Sequence, residues 1–380
     1  MTQEPQPAAA EQPAQSSLLR RILRPLVIPL LSILTAFLIG ALVIIFTAEN
    51  PLVGLEKVAI GYWGIIDGAI LRSNGRLNTL VAMTPLILTG LAVALPFRAG
   101  MFNIGAEGQF VIGALFGTLV GVYAELPPVI HPIAVMLAGF TGGLLWGFIP
   151  GVLKAWLGSH EVINTIMLNF IATFFVDWMV RGPIKDPNPS TVQSLPLLET
   201  AHLARLTGRL HLGFFVAILM AVLAYYFLFK TTWGFSLRTT GQNPNAAEYA
   251  GIRSKWQYVL AMMLGGGLAG LAGILEVEGV VSRVLSEGFA SGYGFDGIAV
   301  SLLAANNPIA VIPAAFIFAV LRIGGDFLQI RAGLSIHVVS ILRALILLFV
   351  SAPAIIRYIY RVRAKSDVEE ATVLTRGWGG

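Results

Sequence analysis

Apolar runs about as long as a bilayer is thick recur along this chain, and they decide what it can fold into. A helix that crosses the hydrocarbon core needs about 20 mostly apolar residues. Ten such segments are legible, at approximately 26–48, 78–97, 105–124, 132–157, 162–181, 212–230, 257–278, 295–306, 308–324 and 335–355. The eighth is too short to span and reads as a broken or re-entrant element. The stretch 49–77 mixes Glu56, Lys57, Asp67, Arg72 and Arg76 with apolar residues and reads as amphipathic and interfacial. Only 12% of the 380 residues are charged, against about 25% in a soluble domain. A soluble enzyme, a nucleic-acid-binding domain and a disordered chain are therefore excluded. The expectation is an all-α polytopic membrane protein with about ten transmembrane segments.

The basic residues lie at the chain ends and in loops, which suits a cytoplasmic bias rather than nucleic acid, despite the net charge of +5. Residues 1–24 read as a disordered cytoplasmic tail rich in Gln, Pro and Ala, 25–356 as the membrane domain, and 357–380 as a second cytoplasmic tail. The run after Arg20, Arg21 and Arg24 is too long for a signal-peptide core, and no A-x-A pattern follows, so it reads as a retained first helix. Basic residues at both ends place both termini inside, with segment 231–256 inside and 182–211 outside.

Two tetrads, Gly105-Ala106-Glu107-Gly108 and Gly294-Phe295-Asp296-Gly297, each open an apolar run. They open the third and eighth segments, an odd offset, which reads as an inverted internal repeat. Around the first, Phe97–Gln109 interrupts an apolar stretch with glycines, Asn103, Glu107 and Gln109. Irregular backbone at membrane depth survives only beside protein or a water-filled cavity. One reading makes Asn103, Glu107 and Gln109 the lining of a substrate pathway, with Asn164, Asn169 and Asp296 as further candidates. The other makes Glu107 a carboxylate that caps the following helix and touches no substrate. For Asp296 the capping reading is favoured.

Gly139, Gly143, Gly147 and Gly151 recur every four residues, which points to close helix packing. Gly265-Gly266-Gly267-Leu268-Ala269-Gly270 satisfies G-x-G-x-x-G, but no strand precedes it, so it too reads as a packing helix. No phosphate-binding P-loop occurs. There is no cysteine and no H-E-x-x-H spacing, and no metal site, cofactor or catalytic residue is assigned. Glu161, Asp177, Glu276, Glu278, Arg322, Asp326 and Arg343 are isolated polar residues inside or near apolar runs. In the loop 231–256, Asn243 suits an N-cap, Pro244 the first helical position and Gly251 the position after the end. A two-turn helix there is marginal alone and must dock onto something. Ala246, Ala247 and Ala250 form a small flat face, better suited to a protein partner than to lipid.

These residues resemble the membrane permease subunits of bacterial ABC importers, in the branch for nucleosides and simple sugars. Arg98-Ala99-Gly100-Met101-Phe102-Asn103-Ile104-Gly105-Ala106-Glu107-Gly108-Gln109 looks like that branch's signature. Gly241-Gln242-Asn243-Pro244-Asn245-Ala246-Ala247, ending at Gly251-Ile252, is similar to its coupling loop, and Gly292–Val300 to a third motif. The resemblance covers about 78–355. It implies a non-catalytic permease in the bacterial plasma membrane, a partner ATPase that binds the ATP, an extracytoplasmic substrate-binding lipoprotein and a second permease chain. It also implies that Arg238, Gly241, Asn243, Pro244, Ala246, Ala247 and Gly251 meet the ATPase. The G-M-F-N-I-G-A-E-G-Q form looks more like nucleoside permeases than ribose permeases. An ion-coupled secondary transporter is the competing class.

Overall fold

The computed structural model describes residues 27–187, 192–279 and 283–361. The tail assigned to 1–24 lies outside the described residues, as does the tail 357–380 beyond residue 361. The helices are α1 (Val27–Thr47), α2 (Pro51–Ile66), α3 (Ser73–Arg98), α4 (Ala106–Tyr123), α5 (Ile130–Leu157), α6 (Glu161–Arg181) and α7 (Gly213–Lys230). They continue as α8 (Thr232–Gln242), α9 (Pro244–Tyr249), α10 (Ser254–Gly279), α11 (Tyr293–Leu303), α12 (Val311–Ala332), α13 (Ile336–Ser351) and α14 (Pro353–Ile359). A π-helical turn, Asp67–Leu71, joins α2 to α3. Among the described residues, eight helices are long and apolar enough to cross a membrane: α1, α3, α4, α5, α6, α7, α10 and α12. The chain is thus an all-α polytopic membrane protein, with a count of eight by length rather than ten. The eighth and tenth segments fold as helices α11 and α13, of 11 and 16 residues.

The outer helices carry their small residues inward and their large apolar residues outward. On α1, Ser32, Ala36, Gly40 and Ile44 are buried, while Leu30, Leu34, Leu38, Leu42 and Phe46 form an exposed stripe. On α7, Ala217, Ala221 and Ala224 are buried, and Phe215, Leu219 and Tyr226 are exposed. Lipid solvates such an exterior, and small inward residues let helices approach.

α3 and α10 form the centre and are buried along most of their length. The four-residue glycine spacing of α5 faces the glycine-rich part of α10. A Cβ on Gly143 would overlap the backbone of Gly266 and Gly270, and one on Gly147 would overlap that of Met262. The packing role expected for both glycine sets is what the structure shows. Segment 182–211 adds a short antiparallel hairpin, β1 (Arg205–Thr207) with β2 (Leu210–His211). It is pinned to the bundle by Ser194, whose N–H donates to Leu285 O at 2.8 Å and whose hydroxyl accepts from Leu285 N at 3.0 Å.

Candidate functional site

The site is built on two helix breaks. α3 ends at Arg98, and Gly100 turns out of it at φ +78°, a conformation that costs a side-chain-bearing residue. The chain re-enters helix at Ala106. The second break follows α10, and Gly292 at φ +80° starts α11.

The two tetrads meet at these breaks. Glu107 Oε1 accepts the Gly292 N–H at 2.8 Å, and Oε2 accepts the Gly294 N–H at 2.6 Å. Glu107 therefore caps the N-terminus of α11, not of its own helix, whose N-cap Gly105 has no side-chain cap bond. A carboxylate satisfies two orphan N–H groups there and sits at the favourable end of the helix dipole. The meeting needs glycine: a Cβ on Gly294 would overlap the Ala106–Glu107 backbone, and one on Gly297 would lie 2.7 Å from Thr89.

The other end of α11 is held from the same segment. Arg98 Nε donates to Asn306 O at 3.0 Å, and Nη2 donates to Ala305 O at 3.1 Å. Ala305 and Asn306 both have positive φ, +49° and +54°, a strained arrangement that needs outside support. A guanidinium suits the negative end of the dipole.

The other candidates near the break hold it together. Asn103 Nδ2 donates to Ala92 O at 3.0 Å and to Gln109 Oε1 at 2.8 Å, and Gln109 Nε2 donates back to Asn103 Oδ1 at 3.2 Å. Both amides are buried. Asn169 on α6 accepts the Gly108 N–H at 2.8 Å and donates to Ile104 O at 3.0 Å, strapping the break to α6. Asp296 accepts from Arg322 at 3.1 Å, and that guanidinium also stacks 3.8 Å from the Tyr293 ring centroid and donates to Ser291 O. Asn164 stands apart, bonded to Ser159 at the turn before α6.

In the loop 231–256, Asn243 Oδ1 accepts the Ala246 N–H at 3.1 Å, Pro244 opens α9, and Gly251 follows its end at φ +80°. The cap residues are placed as the sequence implied. The alanine face is not: Ala247 is fully buried against the chain's own bundle, while Ala246, Glu248, Tyr249 and Ala250 are exposed. One residue in a turn of helix must face inward to seat it, and the small Ala247 fits that place. Arg238 donates to Leu228 O at 2.9 Å and stacks on Phe229, 5.0 Å from its centroid. Gly241 sits against the first break, where a Cβ would overlap the carbonyl of Arg98.

Sequence reasoning named Arg98 only as part of a motif and Arg322 only as an isolated charge. A cation ending a long helix was a usable signal for Arg98. Nothing local pairs Arg322 with Asp296, because they lie on different helices. Outside the membrane segments, burial and the nearby Arg205, Arg283 and Arg209 push the His211 imidazole down to about 4.

A family described as "Branched-chain amino acid transport system / permease component" matches residues 75–351. The guanosine ABC transporter permease protein NupP of Bacillus subtilis is 39% identical over 342 residues, covering 88% of this chain and 95% of that protein. The nucleoside ABC transporter permease protein NupB of Lactococcus lactis is 33% identical, covering 92% and 97%. The glucose ABC transporter permease protein TsgB13 of Haloferax volcanii is 35% identical, covering 84% and 86%. No solved structure matches. With most of its length matched in this way, the chain belongs to the permease-component family of branched-chain amino acid and nucleoside ABC transport systems.

Proposed function

We propose that the chain is a non-catalytic permease subunit of an ABC importer for nucleosides. Its partners are an ATPase that binds and hydrolyses the ATP, a second permease chain, and a substrate-binding lipoprotein on the outer face. It resides in a bacterial plasma membrane with both termini in the cytoplasm. The nucleoside reading rests on the likeness to NupP and NupB. A hexose is the second reading, favoured by the likeness to TsgB13.

One observation carries the mechanism: Gly241, three residues before the exposed helix α9, packs against the backbone of Arg98–Gly100. An ATPase seated on Asn245, Ala246, Glu248, Tyr249 and Ala250 would push on α8 and α9, with Asn243, Pro244 and Gly251 fixing their shape. Ala247 acts from within by seating α9. Displacement at Gly241 reaches Arg98 directly, and through Arg98 and Glu107 it reaches both ends of α11. Asn103, Gln109, Asn169 and Asp296 keep the broken segments together as they move, and the pathway opens beside them.

Uptake into proteoliposomes holding the whole complex tests this. Accumulation of labelled nucleoside is expected only with ATP, the ATPase and the binding protein present. Accumulation driven by an H⁺ or Na⁺ gradient in vesicles lacking the ATPase would refute it in favour of a secondary transporter.

A further inference from the structure

Along α10, every residue from Gly265 to Gly279 is buried except Glu276. A glutamate left partly accessible while its helix neighbours are sealed is unusual in a membrane helix and is costly unless used. What surrounds it is specific. Tyr293 bonds to its carboxylate, and Arg322 and Arg209 lie near enough to act on its charge. The guanidinium of Arg322 is shared with Asp296, at 3.1 Å, and with the face of Tyr293. Asp296, Arg322 and Phe289 are also only partly buried. Phe289 stacks parallel on the buried Phe110, ring centroids 5.4 Å apart and planes within 11°, and Phe110 in turn touches Tyr293 at 5.9 Å. Arg209, beside the hairpin of segment 182–211, donates to Gly279 O at the same end of α10. Glu276 thus lies between the second break and that hairpin.

We infer that the accessible surface shared by Glu276 and Phe289 marks an intramembrane station for the nucleobase, with Glu276 accepting hydrogen bonds from the base edge and the partly exposed Phe289 ring supplying the stacking surface. The inference rests on the nucleoside reading above. Sites that read single bases combine an aromatic face with hydrogen bonds to the base edge. A carboxylate offers two acceptors side by side, so it fits a base that presents two adjacent N–H donors. Guanine has such an edge in N1–H and the N2 amino group. Adenine and cytosine present an amino group beside an acceptor nitrogen and would set that nitrogen against the carboxylate. The site therefore selects guanosine over adenosine and cytidine.

The test measures equilibrium binding of labelled guanosine and adenosine to the full permease–ATPase complex in nanodiscs, without the binding protein. The wild type is expected to prefer guanosine. Glu276→Gln exchanges one acceptor for a donor and should weaken guanosine about tenfold or more, collapsing the preference. Phe289→Ala should weaken both nucleosides about tenfold, because stacking does not depend on the base. Glu276→Asp keeps both acceptors and should retain the preference at lower affinity, which covers the case in which the Gln variant fails to fold. If the wild-type complex imports nucleosides yet binds none here, or binds them with a preference that Glu276→Gln leaves unchanged, the station is refuted and the importer reading stands. If the intact system imports no nucleoside at all, the functional reading itself fails.

Discussion

Glu107→Gln separates a pathway residue from a bracing one. In the structure each oxygen of Glu107 takes one backbone N–H of α11, at 2.8 and 2.6 Å. Glutamine keeps one acceptor and turns an amino group toward the other N–H. One charge-assisted bond is lost, worth about 1.5–3 kcal/mol, and the surviving bond falls to neutral strength, a further loss of about 1 kcal/mol. Removing the charge from the helix N-terminus costs about 0.5–1 kcal/mol more. Together the variant should lose about 3–5 kcal/mol, a large share of the stability of an ordinary domain. Glu107→Asp is one methylene shorter and cannot reach both N–H groups, so it should lose nearly as much. Denaturant unfolding of the purified chain, set beside uptake per folded molecule, reads both quantities. Stability and uptake falling together are expected. Stability within about 1 kcal/mol of the wild type with uptake abolished would refute the bracing role and return Glu107 to the substrate pathway.

The other predictions concern packing, coupling and pH. Gly143→Ala should cost about 1–3 kcal/mol by overpacking against the Gly266 and Gly270 backbone, whereas Leu145→Ala on the exposed face of the same helix should cost little; unfolding of the two variants checks this. Tyr249→Ala, at a side chain 96% exposed, should leave unfolding unchanged and abolish stimulation of ATP hydrolysis by substrate. Ala247→Asp buries a carboxylate against the bundle and should instead deplete the protein from the membrane, as immunoblotting would show. His211 is held at about 4 when folded and near 6.5 when unfolded, so the folded state binds fewer protons. Its contribution is complete above about pH 6.5 and is lost as pH falls toward 4, about 2 kcal/mol by pH 5; His211→Asn should flatten the melting temperature between pH 7 and 5.

Helix placement was legible because the apolar runs are long: each of the ten segments corresponds to a helix, and nine of them agree within about five residues at each end. The spanning count was less so, because α11 and α13 are too short to be counted as spans, and one helix end was also missed. Residues 308–324 belong to a longer helix reaching Ala332 across Asp326 and Arg331, and Arg331 is tolerated there because it pairs with Asp67 at 2.6 Å. Such a pairing, from a residue more than 260 positions away, leaves no local trace. The caps of α9 were readable from Asn243, Pro244 and Gly251 because capping is chemistry between neighbours in sequence. Which alanine faced inward was not, since a six-residue helix has no apolar period long enough to orient it. Glu107 was recognised as a capping group but assigned to the helix that follows it, the only candidate visible along the chain. Its real partner begins at Gly292 and comes from the other half of the molecule.

The break between α3 and α4 follows from what Arg98 and Glu107 must reach. They are nine positions apart (107 − 98), and an unbroken helix would rotate them by about 900°, which sets them on opposite faces. It would also advance only about 14 Å over those nine steps, while the 11 residues of α11 extend about 16 Å. No continuous helix could offer both side chains to the two ends of α11. Unwinding at Gly100–Gly105 removes both restrictions, so the turn at φ +78° is a condition of the clamp and not an irregularity beside it. The same turn is where Gly241 packs. On the proposed coupling, a displacement of α8 by an ATPase would act at the turn that ends α3, whose N–H groups bond back to Pro96 and Phe97, and would move the positive and negative ends of the clamp together. α11 would then be repositioned as a unit, along with the Tyr293, Asp296 and Arg322 cluster attached to it.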